Sequence, residues 1–171
     1  MDPISHLCWA LTIFIFILGF GPVAIVLIVA ILPDLPWIDF YLHKFKEAEK
    51  KHEKIISIFK SKKGQVMHYL HKHQPNYLRT MHFFMHSLFG WWLFSLIVVL
   101  FFRNHLFLSF VYLSHIIIDI PSHGRIRGPI LFYPFSKISF NGIEFEEHNW
   151  MIIASYSLLI LINIALFVSP I

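Results

Sequence analysis

The sequence predicts an all-α fold, a polytopic bundle of membrane helices within a single embedded domain of 171 residues. Hydrophobic residues make up 57% of the chain and charged residues 14%, whereas soluble domains carry about 25% charged residues. The charges are also segregated, because long uncharged apolar runs alternate with charged loops. These observations predict an integral protein of the plasma or inner membrane. Its parts are an N-terminal hairpin with an LPD motif (1–39), a basic amphipathic insert (40–76), and core helices with a loop (77–171).

The apolar stretch at residues 7–32 is predicted to form a short helical hairpin. As one unbroken helix it would be about 39 Å long, against a hydrocarbon core of about 30 Å. The sequence GFGP at residues 19–22 interrupts the stretch, and proline is favoured in the first turn of a new helix. Composition leaves the two alternatives nearly even, and the break favours the hairpin. A hairpin would bring His6 and Asp34 to the same side of the membrane.

Three further membrane helices are predicted, at residues 79–102, 106–120 and 149–168. The polar stretch before them contains Glu–Lys pairs four residues apart and an apolar edge, which favours an amphipathic helix on the membrane surface. In this topology all of the 14 Lys and Arg residues except Arg103 lie on one side. Short basic loops stay in the cytoplasm, so that side is expected to face inward, with the C-terminus outside. Topology therefore explains the net charge of +4 without a nucleic-acid partner.

The stretch SHIIIDIPSHG carries three potential metal ligands, His115, Asp119 and His123, at successive spacings of four. His115 and Asp119 would share one face of a helix. Pro121 is expected to end that helix, which places His123 just beyond it. A histidine and a carboxylate inside an apolar helix are costly unless they bond to each other or bind an ion. For this pair alone, both alternatives remain open.

The predicted topology collects further histidines and carboxylates on the same side. His82 and His86 fall in the first turns of one membrane helix, whereas His115 and Asp119 fall in the last turns of the next, antiparallel one. The hairpin would add His6 and Asp34, the polar residues at its two ends. Imidazole and carboxylate ligands without thiolates suit zinc, and also manganese, iron or nickel. A site with open positions suits hydrolysis, in which the ion activates a bound water and polarises a phosphoryl or carbonyl oxygen.

Several short motifs, taken in order, resemble one protein family. They are MDPISH at the start, LPD after the first hydrophobic block, HS opening a membrane helix, and YLSHIIIDIPSHG followed by FYPFS. The family is that of the predicted membrane-bound, metal-dependent hydrolases, inner-membrane proteins that include one under SOS-response control. These proteins are distantly similar to zinc-dependent phospholipase C, which uses His and Asp ligands on helices, including an HxxxD pair. The resemblance touches roughly half of the chain, in blocks from Met1 to Ser136.

The resemblance implies a metal-dependent hydrolase with one or two divalent ions, zinc in the first place and manganese as an alternative. The implied metal ligands are His6, Asp34, His86, His115, Asp119 and His123. Catalytic roles are predicted for Asp34, His115 and Asp119, with a metal-bound water as the nucleophile. The chain departs from the family pattern at Arg79 and His82, so His82 is predicted to lie behind the ligands and not to bind the ion itself.

The predicted substrate is a phosphoester, lipid-like or small, and membrane lipids are the expected surroundings. Arg125 and Arg127 are predicted to bind its phosphate, because a guanidinium group matches phosphate oxygens bidentately; anchoring at the interface is the equal alternative for both. A second hypothesis is a non-enzymatic membrane protein that binds or transports divalent metal. A third is a helical scaffold whose polar residues only join helices.

Overall fold

The computed structural model describes residues 3–17, 23–38, 40, 74–124, 128–143 and 148–168. Within these ranges the chain is helical with no strand, which confirms the all-α class. The predicted amphipathic helix of the insert and the two arginines of the later loop, Arg125 and Arg127, lie outside these ranges. The elements are α1 (Pro3–Ala10), a π-helix π1 (Leu11–Ile17), α2 (Val23–Ile31), a 3₁₀ turn (Leu32–Asp34), α3 (Asn76–Met85), α4 (Leu88–Phe101), a second 3₁₀ turn (Arg103–His105), α5 (Phe107–Ser122) and α6 (Asn149–Val168).

The helices pack around α2, which contacts both α1 and α5. α4 lies against α5, and α6 lies against α1 and π1. The core between them contains Val26, Val111, Tyr112 and Ile116, each at most 1% exposed. The outer faces of α4 and α6 are also apolar, and large side chains such as Leu161 are well exposed there. Apolar area on this scale is typical of a surface that contacts lipid or a partner.

α1 and α2 lie side by side, and His6 of α1 meets Asp34, in the 3₁₀ turn after α2, at the same end. This juxtaposition is what the hairpin prediction requires. The proposed break at residues 19–22 lies outside the described ranges. Beyond Ile31 the chain stays helical through residue 38, because the 3₁₀ turn that contains Asp34 leads directly into a further helical turn.

The prediction of one continuous helix over residues 79–102 is wrong, because α3 and α4 meet at an angle of 66°. Ser87 begins α4 as its cap: its Oγ accepts a hydrogen bond from the Gly90 N–H at 3.0 Å. The same hydroxyl donates to the Phe84 carbonyl at 2.7 Å, which ties the end of α3 to the start of α4. A Cβ on residue 90 would lie 2.2 Å from that carbonyl oxygen. Glycine is therefore required for the bend.

Length and hydropathy single out the bent pair α3–α4 as the one candidate span among the described helices. No other described helix passes that test alone, including α5 and α6, for which single spans were predicted. The bounds of α6 agree with the predicted 149–168. α5 begins one residue later than predicted and continues past Pro121 to Ser122. A proline in the last turn costs only one intrahelical bond, and His123 follows the helix directly, as predicted.

Candidate metal centre

Six side chains from four parts of the chain converge at one end of the bundle. α1 contributes one, the first 3₁₀ turn one, the α3–α4 bend one, and α5 with the residue after it three. These residues are His6, Asp34, His86, His115, Asp119 and His123. The structure therefore brings together every residue of the predicted ligand set.

Asp119 lies at the middle of the cluster, with its side chain only 1% exposed. Its Oδ1 is 3.0 Å from His6 Nε2 and 3.2 Å from His123 Nε2. Its Oδ2 is 3.1 Å from His115 Nε2 and 3.2 Å from His86 Nε2. One carboxylate thus faces four imidazole rings. The i, i+4 spacing on α5 sets the contact with His115, and tertiary packing supplies the contacts with His6 and His86.

Asp34 adds a second carboxylate near the Nε2 atoms of the same two rings. Its Oδ1 lies 3.4 Å from His86 Nε2 and 3.7 Å from His115 Nε2. The cluster contains two groups of three ligand atoms, and within each group the atoms lie within 4.8 Å of one another. One group is His6, Asp34 and His115; the other is His86, His115 and Asp119. Spacings of this size allow one ion to contact every member of a group.

Backbone carbonyls orient two of the rings. His115 Nδ1 donates to the Ala30 carbonyl at 2.7 Å, and His86 Nδ1 donates to the His82 carbonyl at 2.9 Å. A carbonyl only accepts, so the proton of the neutral ring must sit on Nδ1. The lone pair is then on Nε2, which points into the cluster. Metal-binding histidines are commonly held in this way by a carbonyl on their other nitrogen.

The two oriented Nε2 atoms lie only 3.2 Å apart, and both face carboxylate oxygens. Neutral rings held as described would bring lone pair against lone pair. If one ring were protonated, its Nε2–H would bridge the two nitrogens. Neither Nε2 would then have a proton to donate to a carboxylate. A cation between these atoms satisfies all of them together. Nitrogen and oxygen ligands of this kind fit zinc or manganese.

Comparison with known families places this arrangement in a membrane setting. The family model described as YdjM inner membrane protein matches residues 1–169. The chain belongs to the YdjM inner membrane protein family. The predicted membrane localisation is confirmed by this match. Neither the curated proteins nor the solved structures contain a match to this chain.

His82 in this YdjM-family chain lies beside the ligands, as expected from the sequence. Its ring centroid is 4.0 Å from that of His86, and Trp37 packs edge-on against it at 5.6 Å. Its backbone carbonyl holds His86 Nδ1, so His82 acts on the centre through its main chain. Its own Nδ1 is buried and makes no hydrogen bond within the described part of the chain.

Sequence reasoning missed two supports of the centre. One is the Ala30 carbonyl, which no sequence pattern reveals because every residue carries a carbonyl. The other is Tyr112, whose hydroxyl donates to the Met85 carbonyl at 2.7 Å and fastens α5 to the end of α3. Tyr112 precedes His115 by three residues, so its place on the ligand face of α5 was available from the spacing. The two supports connect α2, α3 and α5 at the cluster.

The centre opens to the outside at two of its members. The side chains of His6, His86, His115 and Asp119 are between 1% and 3% exposed. Those of Asp34 and His123 are 13% and 15% exposed. A ligand entering the centre would therefore meet Asp34 and His123 first.

Proposed function

We propose that this YdjM-family protein is a membrane-embedded, divalent-metal-dependent hydrolase of phosphoesters. The observation that carries the proposal is the pair of Nε2 lone pairs 3.2 Å apart, each oriented by a backbone carbonyl and facing carboxylate oxygens. A divalent ion bound there would acidify a coordinated water and polarise a phosphoryl oxygen. Zinc is the first choice, with manganese as the alternative, and the two overlapping groups of ligands accommodate one or two ions.

The side chains of the cluster divide into holding and reacting roles in this proposal. His86 and His115 would hold the ion through Nε2 atoms that backbone carbonyls fix from behind, and Asp119 would add the Oδ2 that both rings face. Asp34 is the carboxylate nearer the opening, and within the described residues its Oδ2 makes no hydrogen bond. We assign that buried oxygen the role of accepting a proton from an entering water. His6 and His123 position Asp119 or complete the coordination.

The proposed substrate is a lipid-like phosphoester, because the centre belongs to an inner-membrane protein whose outer faces are apolar. Arg125 and Arg127, which follow His123 closely in sequence, are proposed to hold its phosphate. They follow His123 by two and four residues in the sequence. The similarity to zinc-dependent phospholipase C belongs to the same proposal.

The proposed topology is a polytopic bundle with an N-terminal hairpin, an interfacial helix in the insert, and the metal centre facing the cytoplasm. The asymmetry of Lys and Arg supports it, since only Arg103 of the 14 lies in the opposite turn. A Cys8→Ser background removes the single native cysteine. In it, Asn104→Cys should react with an impermeant thiol reagent on intact cells, and Lys137→Cys should react only after permeabilisation. The reverse pattern would overturn the orientation.

Metal analysis combined with hydrolysis assays tests the function. Wild-type protein should copurify with a divalent ion and release product from phospholipids or from a generic phosphodiester. His115→Ala should lose both properties, whereas His105→Ala, a histidine at the other end of the bundle, should keep them. Metal-loaded protein that turns over none of these substrates would favour the non-enzymatic alternative, binding or transport of the metal.

A further inference from the structure

The segment at residues 131–143, which precedes α6, carries the most exposed large apolar side chains of the described chain. Phe135 is 82% exposed and Ile138 is 76% exposed. Phe132, Phe140 and Ile143 are exposed as well. Apolar side chains that protrude together from a non-helical segment mark a surface that meets a partner.

This segment is fastened to the helices that form the metal centre. The Leu131 carbonyl accepts a hydrogen bond from the N–H of Leu88, the first residue of α4, at 2.8 Å. At the other end, the Gly142 N–H donates to the His123 carbonyl, also at 2.8 Å. A Cβ on residue 142 would lie 2.5 Å from the Pro121 carbonyl oxygen, so this close approach requires glycine. The segment therefore bridges the start of α4 and the end of α5.

The backbone of the segment decides where in a membrane it can lie. Its non-helical main chain does not suit the hydrocarbon core, where every peptide group needs an internal partner. Its exposed apolar side chains, such as Phe135 and Ile138, are unfavourable in water. The exposed Lys137 sits between Phe135 and Ile138, and aromatic side chains with lysine are typical of the head-group region. A lysine there also attracts anionic head groups.

We propose that residues 131–143 form a docking surface for the head-group region of the bilayer, with Phe135 and Ile138 inserted beside Lys137. Because Gly142 is bonded to His123, docking also places the opening of the metal centre at the level of the head groups. The partner is the lipid surface itself. This inference goes beyond the proposed function, since docking holds whether the centre hydrolyses a substrate or only binds an ion.

Depth-dependent fluorescence quenching tests the docking surface in the full-length protein. In the Cys8→Ser background, Phe135→Cys and Ile138→Cys each receive an environment-sensitive dye, and the protein is placed in vesicles of zwitterionic lipid with or without anionic lipid. Both positions are exposed, so the dye does not disturb the core. The matched control is Leu96→Cys on the outer face of α4, which is 41% exposed and lies well inside the candidate span.

Dyes at residues 135 and 138 should be quenched roughly twofold more by nitroxides near the head group than by nitroxides near the chain end. The dye at residue 96 should show the opposite preference. Adding Lys137→Gln should remove any increase in head-group quenching that anionic lipid produces. Quenching by aqueous iodide alone, a chain-end preference at residue 138, or energy transfer between labelled copies that shows a second copy covering the segment would each overturn the proposal.

Discussion

Two groups of polar side chains lie between the helices of this protein, and their hydrogen bonding differs in kind. Between α6 and the α1–π1 pair, Trp9 donates to Ser155 at 3.1 Å and Asn163 donates to Thr12 at 3.1 Å. There each donor meets an acceptor. In the metal centre, the Nε2 lone pairs of His86 and His115 face each other and carboxylate oxygens at 3.1–3.4 Å. The first group is complete as it stands, whereas the second is an arrangement that a bound cation would complete.

The comparison teaches that burial alone does not identify a functional residue in a membrane protein. Polar side chains commonly join helices within a bilayer, each contributing a modest stabilisation. The balance of donors and acceptors separates the two cases here. Trp91 and Ser95 with Ser109, between α4 and α5, behave like the first group, because an indole N–H and hydroxyls supply the protons.

The largest expected effect comes from removing the shared carboxylate. Asp119→Ala deletes the group that four rings approach, so metal affinity should fall by more than about a hundredfold, beyond the tenfold to hundredfold typical of outer-shell changes. Asp119→Asn, which keeps the shape, should weaken binding less. Titration with zinc against a competing chelator measures both. Unchanged affinity in Asp119→Ala would place the centre elsewhere.

His6 should matter as much as His115, although 109 residues separate them in the sequence. His6 Nε2 lies 3.0 Å from Asp119, and its ring stacks on that of His115 at 3.8 Å. His6→Ala and His115→Ala are therefore expected to lower metal content to a similar extent, with His105→Ala as the control. Full metal content in His6→Ala would show that α1 is a packing element only.

A smaller effect is expected from straightening the α3–α4 bend. Gly90→Ala places a Cβ 2.2 Å from the Phe84 carbonyl oxygen, so the bend must shift and carry His86 with it. Metal affinity should fall by roughly tenfold to a hundredfold, as for other changes behind a ligand. Leu96→Ala, on the outer face of α4, is the control. Equal affinities in the two variants would mean that the bend does not position His86.

The smallest expected effect comes from the hydrogen-bonded side chains between α6 and the α1–π1 pair. Asn163→Leu removes the hydrogen bond to Thr12 and should destabilise the fold by about 0.6 kcal/mol, and by no more than about 1.7 kcal/mol. Metal affinity should stay at the wild-type value. A double-mutant cycle with Thr12→Val, followed by unfolding in mixed micelles, isolates the pair. If Asn163→Leu lost its metal, the distinction between the two groups would fail.

Composition and spacing predicted much of this molecule. The long uncharged runs identify helices, and the spacing of four identifies His115 and Asp119 as neighbours on one face. His6 and Asp34 required a topological argument, which depended on the glycines and proline at residues 19–22. The bend at Ser87 was not predicted, because large apolar residues stand directly on both sides of it, Phe83 to Met85 before and Leu88 with Phe89 after. Local signals were present there, since serine favours a helix start and Gly90 follows three residues later.

The remaining features depend on tertiary contacts that leave little trace in a sequence. The Ala30 carbonyl orients His115 from a different helix, and its identity follows only from how α2 packs on α5. The position of Pro121 was misread for a related reason. α5 includes it in its last turn, where the Pro121 carbonyl accepts a hydrogen bond from the Ile143 N–H at 2.9 Å. That partner is 22 residues away in the sequence.

X-ray absorption spectroscopy of the zinc-loaded protein tests the central claim most directly. The account predicts a shell of nitrogen and oxygen ligands only, at about 2.0–2.2 Å, with the outer scattering of at least two imidazole rings. In His115→Ala the imidazole contribution should decrease or the metal should be lost. A sulfur shell at about 2.3 Å, which only Cys8 or a methionine would supply, or a protein that takes up no zinc, would contradict the account.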